Sequence, residues 1–268
     1  MRRIYNHAVL LCGVFFMLAP IFVILMSSTH QTQTLQLEGL QWVRGSHGLN
    51  NYSSIIDFQS GFFDEITPLQ MLLNSLIVAI GVATLTTVLS LLAAYSLVFF
   101  DIRFKKTLFW LILATLLFPL ESRFISTFQV TANLGLINSH LGIILPVLAV
   151  ALGTFFFRQY FLTLPKELIE AATLDGAGPL RFLKDIILPM SFSRAGAIFV
   201  IAFMVGWNQY LWPLMISTDD SLYTLVRGIR LIGQESGPGM ALVILTIVPP
   251  FVLLLIFQRW FFRSLADG

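Results

Sequence analysis

Glu170-Ala171-Ala172-Thr173-Leu174-Asp175-Gly176, followed after nine residues by Ile186-Ile187-Leu188-Pro189, lies in a polar island between long apolar runs, residues 159–194. Locally the island reads as two short helices joined by a turn. Pro165 suits a first helical turn, where its missing N–H costs nothing. Glu167 near that end complements the helix dipole, and Lys166 to Ala172 are mostly good helix formers. Gly176 can take the left-handed conformation that ends a helix. Gly178 and Pro179 then start a second helix, which Pro189 stops. Ala171 and Ala172 have small side chains that let another protein's surface approach closely. Leu168, Ile169, Leu174 and Leu180 supply apolar contacts, and flanking charges such as Glu170 and Asp175 set register. The alternative is an amphipathic loop lying on a membrane surface beside Arg181 and Lys184. It leaves the placement of Gly176 and the Ile-x-Leu-Pro exit unexplained.

The apolar runs on either side set the class. The 268 residues are 57% hydrophobic and 11% charged, with a mean hydropathy of +0.84. A soluble domain carries roughly 25% charged residues, so this chain reads as an integral membrane protein. Six segments approach the roughly 20 residues that a helix needs to cross the hydrocarbon core. They lie near Ala8–Met26, Met71–Phe100, Thr107–Phe128, Leu141–Phe157, Ala195–Thr218 and Met240–Gln258. Their length and unbroken hydrophobicity favour helices over barrel strands, which are short and alternate. The third segment is the weakest, interrupted by Glu121 and Arg123. The expected fold is therefore all-α, with six transmembrane helices and the 159–194 island as a cytoplasmic loop. Residues 1–70 hold the first helix and an outer loop, 71–262 the main core, and 263–268 a short tail.

Basic residues orient the chain. With both termini inside, twelve of the sixteen Lys and Arg face the cytoplasm: Arg2, Arg3, Arg103, Lys105, Lys106, Arg158, Lys166, Arg181, Lys184, Arg194, Arg259 and Arg263. Arg44, Arg123, Arg227 and Arg230 remain outside. That asymmetry follows the positive-inside rule. Arg2 and Arg3 ahead of an apolar run also describe a signal peptide, although the run is long for one and no clear small-x-small cleavage site follows Met26. The outer loop, residues 29–69, carries Trp42, Tyr52 and Phe58. It reads either as a solvated cover packed on helix ends or as a contact surface for an external partner.

Two clusters are candidates for a solute path. Ionisable groups in membrane segments are costly and mark function, which singles out Glu121 and Arg123. Two residues apart, they face different directions on a regular helix, unless Pro119 breaks it. The other reading places both at the outer interface, in water. Trp207, Asn208, Gln209 and Tyr210 form the second cluster. Its aromatic residues suit interfacial anchors, while buried amides need partners and suit a polyhydroxylated ligand. No catalytic constellation is visible. The histidines His7, His30, His47 and His140 lack metal-ligand spacing, Cys12 is the single cysteine, and no phosphate-binding Gly-x-x-x-x-Gly-Lys-Ser/Thr loop occurs. Any ATP must be bound by another chain. The basic residues are too few and too spread for nucleic acid. An intramembrane enzyme or a membrane assembly factor is the remote alternative.

The spacing of Glu170-Ala171-Ala172, Gly176 and Ile186 to Pro189 resembles the cytoplasmic coupling loop of type I ABC importer permeases. Further stretches carry the likeness: Met71 to Ser75, Phe118 to Arg123, Phe157 to Pro165, and Gly206 to Leu214. Together they resemble the carbohydrate-class, maltose-permease-like branch, and within it the second permease subunits of sn-glycerol-3-phosphate importers. The resemblance implies a bacterial inner-membrane heterodimer of two permease subunits, a dimer of ATP-binding subunits that hold ATP and magnesium, and an external solute-binding protein. It implies that Glu170, Ala171, Ala172, Asp175, Gly176 and Pro189 serve coupling, and that the chain itself holds no cofactor, metal or catalytic residue. It also implies that the loop near Asp219–Gly239 reaches toward the binding protein. The implied solute is sn-glycerol 3-phosphate, for which Arg123 offers a phosphate partner. A neutral mono- or oligosaccharide is the alternative solute.

Overall fold

The computed structural model describes residues 2–56, 66–229 and 236–266. Phe58 and Arg230 lie outside them. Fourteen α-helices follow one another among the described residues. They are α1 (Arg2–Ser27), α2 (Thr32–Glu38), α3 (Gly48–Ile56), α4 (Pro68–Phe99), α5 (Lys105–Ala114), α6 (Phe124–Asn133), α7 (His140–Ile144), α8 (Val150–Phe161), α9 (Lys166–Leu174), α10 (Pro179–Phe182), α11 (Leu188–Trp207), α12 (Leu211–Ile216), α13 (Leu225–Ile229) and α14 (Gly237–Ala266). In hydrocarbon the backbone must satisfy its own polar groups, and helices do this within one segment.

Among the described residues, four helical stretches are long and apolar enough to cross a membrane: Tyr5–Ser27, Pro68–Phe99, Pro179–Trp207 and Gly237–Gln258. His140–Val147 and Val150–Phe161 make a fifth span if the pair, bent by 50°, is taken as one. The third apolar segment is divided. Helix α5 has ten residues, about 15 Å of rise, against a hydrocarbon core of about 30 Å. It tightens into a 3₁₀ turn at Thr115–Leu117 and stops at Phe118, extended at φ −95° and ψ 107°. Proline disfavours the α conformation in the residue before it, so Pro119 sets this break. On α1, Phe16 and Met17 are 80% and 76% exposed, as befits a helix whose neighbours are lipid tails.

The chain divides into two units. The first comprises Met1–Ser75 and Asp219–Phe251. Here the stretch after α1 carries α2 and α3. The Asn51 amide donates to the carbonyls of Ser28 and His30, each at 2.8 Å, and Ser28 and Tyr52 hydroxyls meet at 3.1 Å. At the start of α4, Asn74 donates to the carbonyls of Ser221 at 2.7 Å and Tyr223 at 3.1 Å, and Ser75 accepts from the Leu225 amide at 2.7 Å. The Asn74-Ser75 pair thus holds the 221–225 backbone.

The second unit comprises Leu76–Thr218 and Val252–Gly268. One core gathers Val78, Val82, Ile143, Val147 and Trp212. The other gathers Leu91, Tyr95, Phe157, Phe161, Phe182 and Ile187. Small residues set the helix approach. A Cβ at Gly206 would sit 3.0 Å from the Ala79 Cα, and one at Gly153 would sit 2.7 Å from the Ser90 Cβ.

Between these helices the Thr86 hydroxyl is buried without a hydrogen-bond partner among the described residues, beside a cavity of about 30 Å³ lined by Gly153, Phe156, Ile198 and Ala202. An orphaned buried polar group costs about 1–3 kcal/mol. Thr86→Val keeps the shape and removes the orphan, so thermal unfolding of the purified protein should move to higher temperature. Gly153→Val should lower it, because Ser90 occupies the space that the new side chain needs.

Candidate functional site

The 159–194 island folds as two short helices, α9 and α10, with Gly176 between them. Gly176 takes φ +69°. The Ala177 amide donates to the Ala172 carbonyl at 2.9 Å, which is the six-to-one bond of a Schellman ending. Pro165 lies one residue ahead of α9, its carbonyl accepting from the Leu168 amide at 3.3 Å. Glu170, Ala171, Asp175 and Gly176 are exposed, whereas Ala172 is 6% exposed. Helix α9 therefore offers Ala171 outward and turns Ala172 onto the core. Leu174 and Leu180 are 89% and 81% exposed, an apolar pair with no cover from this chain. Arg181 and Asp185 form a 3.4 Å ion pair beside them.

Pro189 does not end the second helix as the sequence suggests. From α10 the chain enters a π-helical turn, Leu183–Ile187, and continues into α11, with Pro189 in its first turn. The wider turn accommodates a residue that has no N–H and whose ring crowds the preceding turn. The Leu188 amide reaches back five residues to the Leu183 carbonyl, and Ser191 donates to the Ile187 carbonyl at 2.6 Å. The 159–194 segment thus runs without a break into the apolar stretch Pro179–Trp207, which is long enough to cross a membrane.

Tyr95, to which no sequence motif points, anchors this segment. Its hydroxyl donates to the Pro179 carbonyl at 2.7 Å, and its ring lies 6.3 Å from that of Phe182. A tyrosine inside an apolar helix needs a hydroxyl partner, and that is the one signal the sequence offers for it. The Tyr160 hydroxyl likewise donates to the Met190 carbonyl at 3.0 Å.

The solute-path candidates fall in two places. Arg123 is exposed and borders a small recess with Phe124, Thr127, Pro146, Val147 and Trp212. The side chain of Glu121 lies outside the described residues. The Trp212 indole donates to the Gly142 carbonyl at 3.0 Å, which fixes the recess wall. Trp207 is 2% exposed and stacks on Phe203 at 5.7 Å, so it belongs to the packing. Helix α11 ends there. Asn208 and Gln209 border a broad open cleft of about 570 Å³ with Val200, Met204 and Leu254. Asn208 is exposed, its amide donating to the Met204 carbonyl at 2.9 Å. Tyr210 is half-buried just before α12. The Arg123 recess and the Asn208 cleft share no lining residue.

Arg227 reads in the sequence only as an outer charge. It is 8% exposed, and its guanidinium lies 3.5 Å from the centre of the Tyr223 ring. The hydrogen bond to Asp220, followed by burial, pushes the Tyr223 phenol above its ordinary value.

Gly176 has open space around its Cβ position, so a substitution there meets only the backbone penalty, about 1–2 kcal/mol for an ordinary L-residue held left-handed. Gly176→Val should reduce transport while the protein reaches the membrane at its normal level, and Gly176→Asn, which tolerates that conformation, should retain most of it. Immunoblotting of membranes beside uptake assays separates the two effects.

Residues 86–267 match the family described as "Binding-protein-dependent transport system inner membrane component". The sn-glycerol-3-phosphate transport system permease protein UgpE of Yersinia pestis bv. Antiqua (strain Antiqua) is 42% identical over 272 residues, 99% of this chain and 96% of that protein. The protein of the same name from Escherichia coli O157:H7 is 40% identical over the same shares. A crystal structure of a bacterial ABC transporter involved in the import of the acidic polysaccharide alginate superposes with a TM-score of 0.81 at 19% identity, covering 96% of this chain and 95% of that one. That likeness concerns the fold. A multi-pass membrane chain matched along two thirds of its length by one family, and along nearly all of it by named permeases, belongs to the family of binding-protein-dependent transport system inner membrane components.

Proposed function

We propose that this chain is one of two permease subunits of an ATP-driven importer for sn-glycerol 3-phosphate. The observation that carries this reading is the near full-length identity to permeases named for that solute. The residues are consistent with the chemistry. A guanidinium pairs with phosphate oxygens and stays charged when partly desolvated, and Arg123 is exposed beside an aromatic wall. Amides at Asn208 and Gln209 suit glycerol hydroxyls.

In this reading the second permease subunit completes the path, an external solute-binding protein delivers the solute, and two ATP-binding subunits hold ATP and magnesium. Both termini lie in the cytoplasm, as does the 159–194 segment. Glu170, Ala171, Asp175 and the exposed leucines of α9 and α10 form the docking face for an ATP-binding subunit. Ala172, Gly176 and Pro189 give that face its shape. ATP-driven movement of the docking face then acts on α11, whose outer end carries Asn208 and Gln209. The chain catalyses no reaction itself.

In a strain that depends on this chain, uptake of labelled glycerol 3-phosphate should exceed uptake of neutral maltose-like sugars. Arg123→Gln should lower glycerol 3-phosphate uptake by about tenfold, the loss of one charge-assisted pair, with assembly unchanged. Arg123→Lys should keep part of it. Wild-type uptake by Arg123→Gln would remove the role given to Arg123. Uptake of neutral sugars alone would remove the solute assignment.

A further inference from the structure

We infer that the exposed face of α5 and α8 around Lys105, Lys106 and Arg158 binds the headgroup of an anionic phospholipid. The Arg158 guanidinium lies 4.1 Å from the centre of the Phe109 ring. Phe109 is 5% exposed and stacks on Phe155 at 6.4 Å and 17° between planes. Arg158 is therefore held by packed rings and partly buried. Residues four apart share a helix face. Lys105 thus lies one turn from Phe109, and Lys106 one turn from Trp110, which bounds three cations by aromatic surface.

Among the described residues, the ion pair is Arg181–Asp185, and no carboxylate comes within 4.0 Å of Lys105, Lys106 or Arg158. Asp101, exposed just ahead of α5, pairs with none of them. Lys105, Lys106 and Arg158 are carried by two helices packed on each other, with no paired carboxylate among the described residues, and an anion supplied from outside offsets their like charge.

The surroundings decide which anion. Trp110 and Leu111 are 67% and 60% exposed on α5, and Phe156 is 50% exposed on α8. This apolar surface continues from the basic cluster along helices of a membrane protein. Tryptophan at such a boundary sits at headgroup depth, and a lysine stem lies along apolar surface while its ammonium stays in the polar layer. A molecule with a negative head joined to acyl chains matches both parts. Free phosphate matches the charges alone. Neither the identity of the transported solute nor the coupling assignment bears on this site.

Electron spin resonance with spin-labelled lipids tests this on the assembled transporter in lipid bilayers. Association of labelled phosphatidylglycerol should exceed that of labelled phosphatidylcholine at low salt. Each basic charge near an anionic lipid surface is worth roughly fivefold in association. Lys105→Gln/Lys106→Gln/Arg158→Gln should bring the two lipids to near parity. Lys105→Gln/Lys106→Gln leaves the Arg158–Phe109 stack in place and should lower the preference partway. Arg44→Gln in the outer loop should leave it unchanged. Equal association of both lipids with the wild type, or an undiminished preference in the double variant, would overturn the proposal. Loss of the preference on adding inorganic phosphate, but not chloride at equal ionic strength, would reassign the site to a free anion and overturn it too.

Discussion

The packing of Phe182 and Ile187 against Tyr95, Phe157 and Phe161 is the constraint on which the 159–194 segment depends. Fully burying one such side chain contributes about 1.5–3 kcal/mol. The Tyr95 hydroxyl adds direction, because its 2.7 Å bond to the Pro179 carbonyl places the start of α10 relative to α4. A loop held only by its ends would absorb a push from a partner. A segment locked to two neighbouring helices, and continuous with a third, moves with them.

Continuity comes from an irregularity. A regular α-helix through Pro189 would place its ring against the preceding turn and leave a carbonyl without a donor. The π-turn of Leu183–Ile187 accommodates the ring, and the Ser191 hydroxyl of α11 donates to the Ile187 carbonyl. At the other end of α11 the order of residues separates packing from exposure. Gly206 permits close contact with α4, Trp207 is buried, and Asn208 and Gln209 emerge at the cleft where the helix ends. Close packing and polar exposure therefore meet within four residues.

Much of this is legible in the sequence. Long apolar runs mark the membrane class, Gly176 marks a helix end, and Pro119 marks the break in the third segment. The Glu170-to-Pro189 spacing marks the family. What the sequence conceals comes from tertiary context. Ala171 and Ala172 are identical as residues, and only the core beneath α9 makes one outward and the other inward. Pro189 reads as a stop because proline usually is one, and the π-turn that carries the helix past it has no residue signature of its own. Trp207 reads as a path or interface residue, and its stacking on Phe203 places it inside. Arg227 reads as a solvated charge, and the Tyr223 ring covers it.

In the proposed function, the outward face of α9 carries the contact through which ATP hydrolysis moves α11. Cysteine cross-linking between this face and the ATP-binding subunit in the assembled transporter tests it most directly. The account predicts that Ala171→Cys cross-links to that subunit with an efficiency that changes when ATP is added, and that Ala172→Cys cross-links weakly. Absence of any cross-link from Ala171→Cys in an active complex would contradict it.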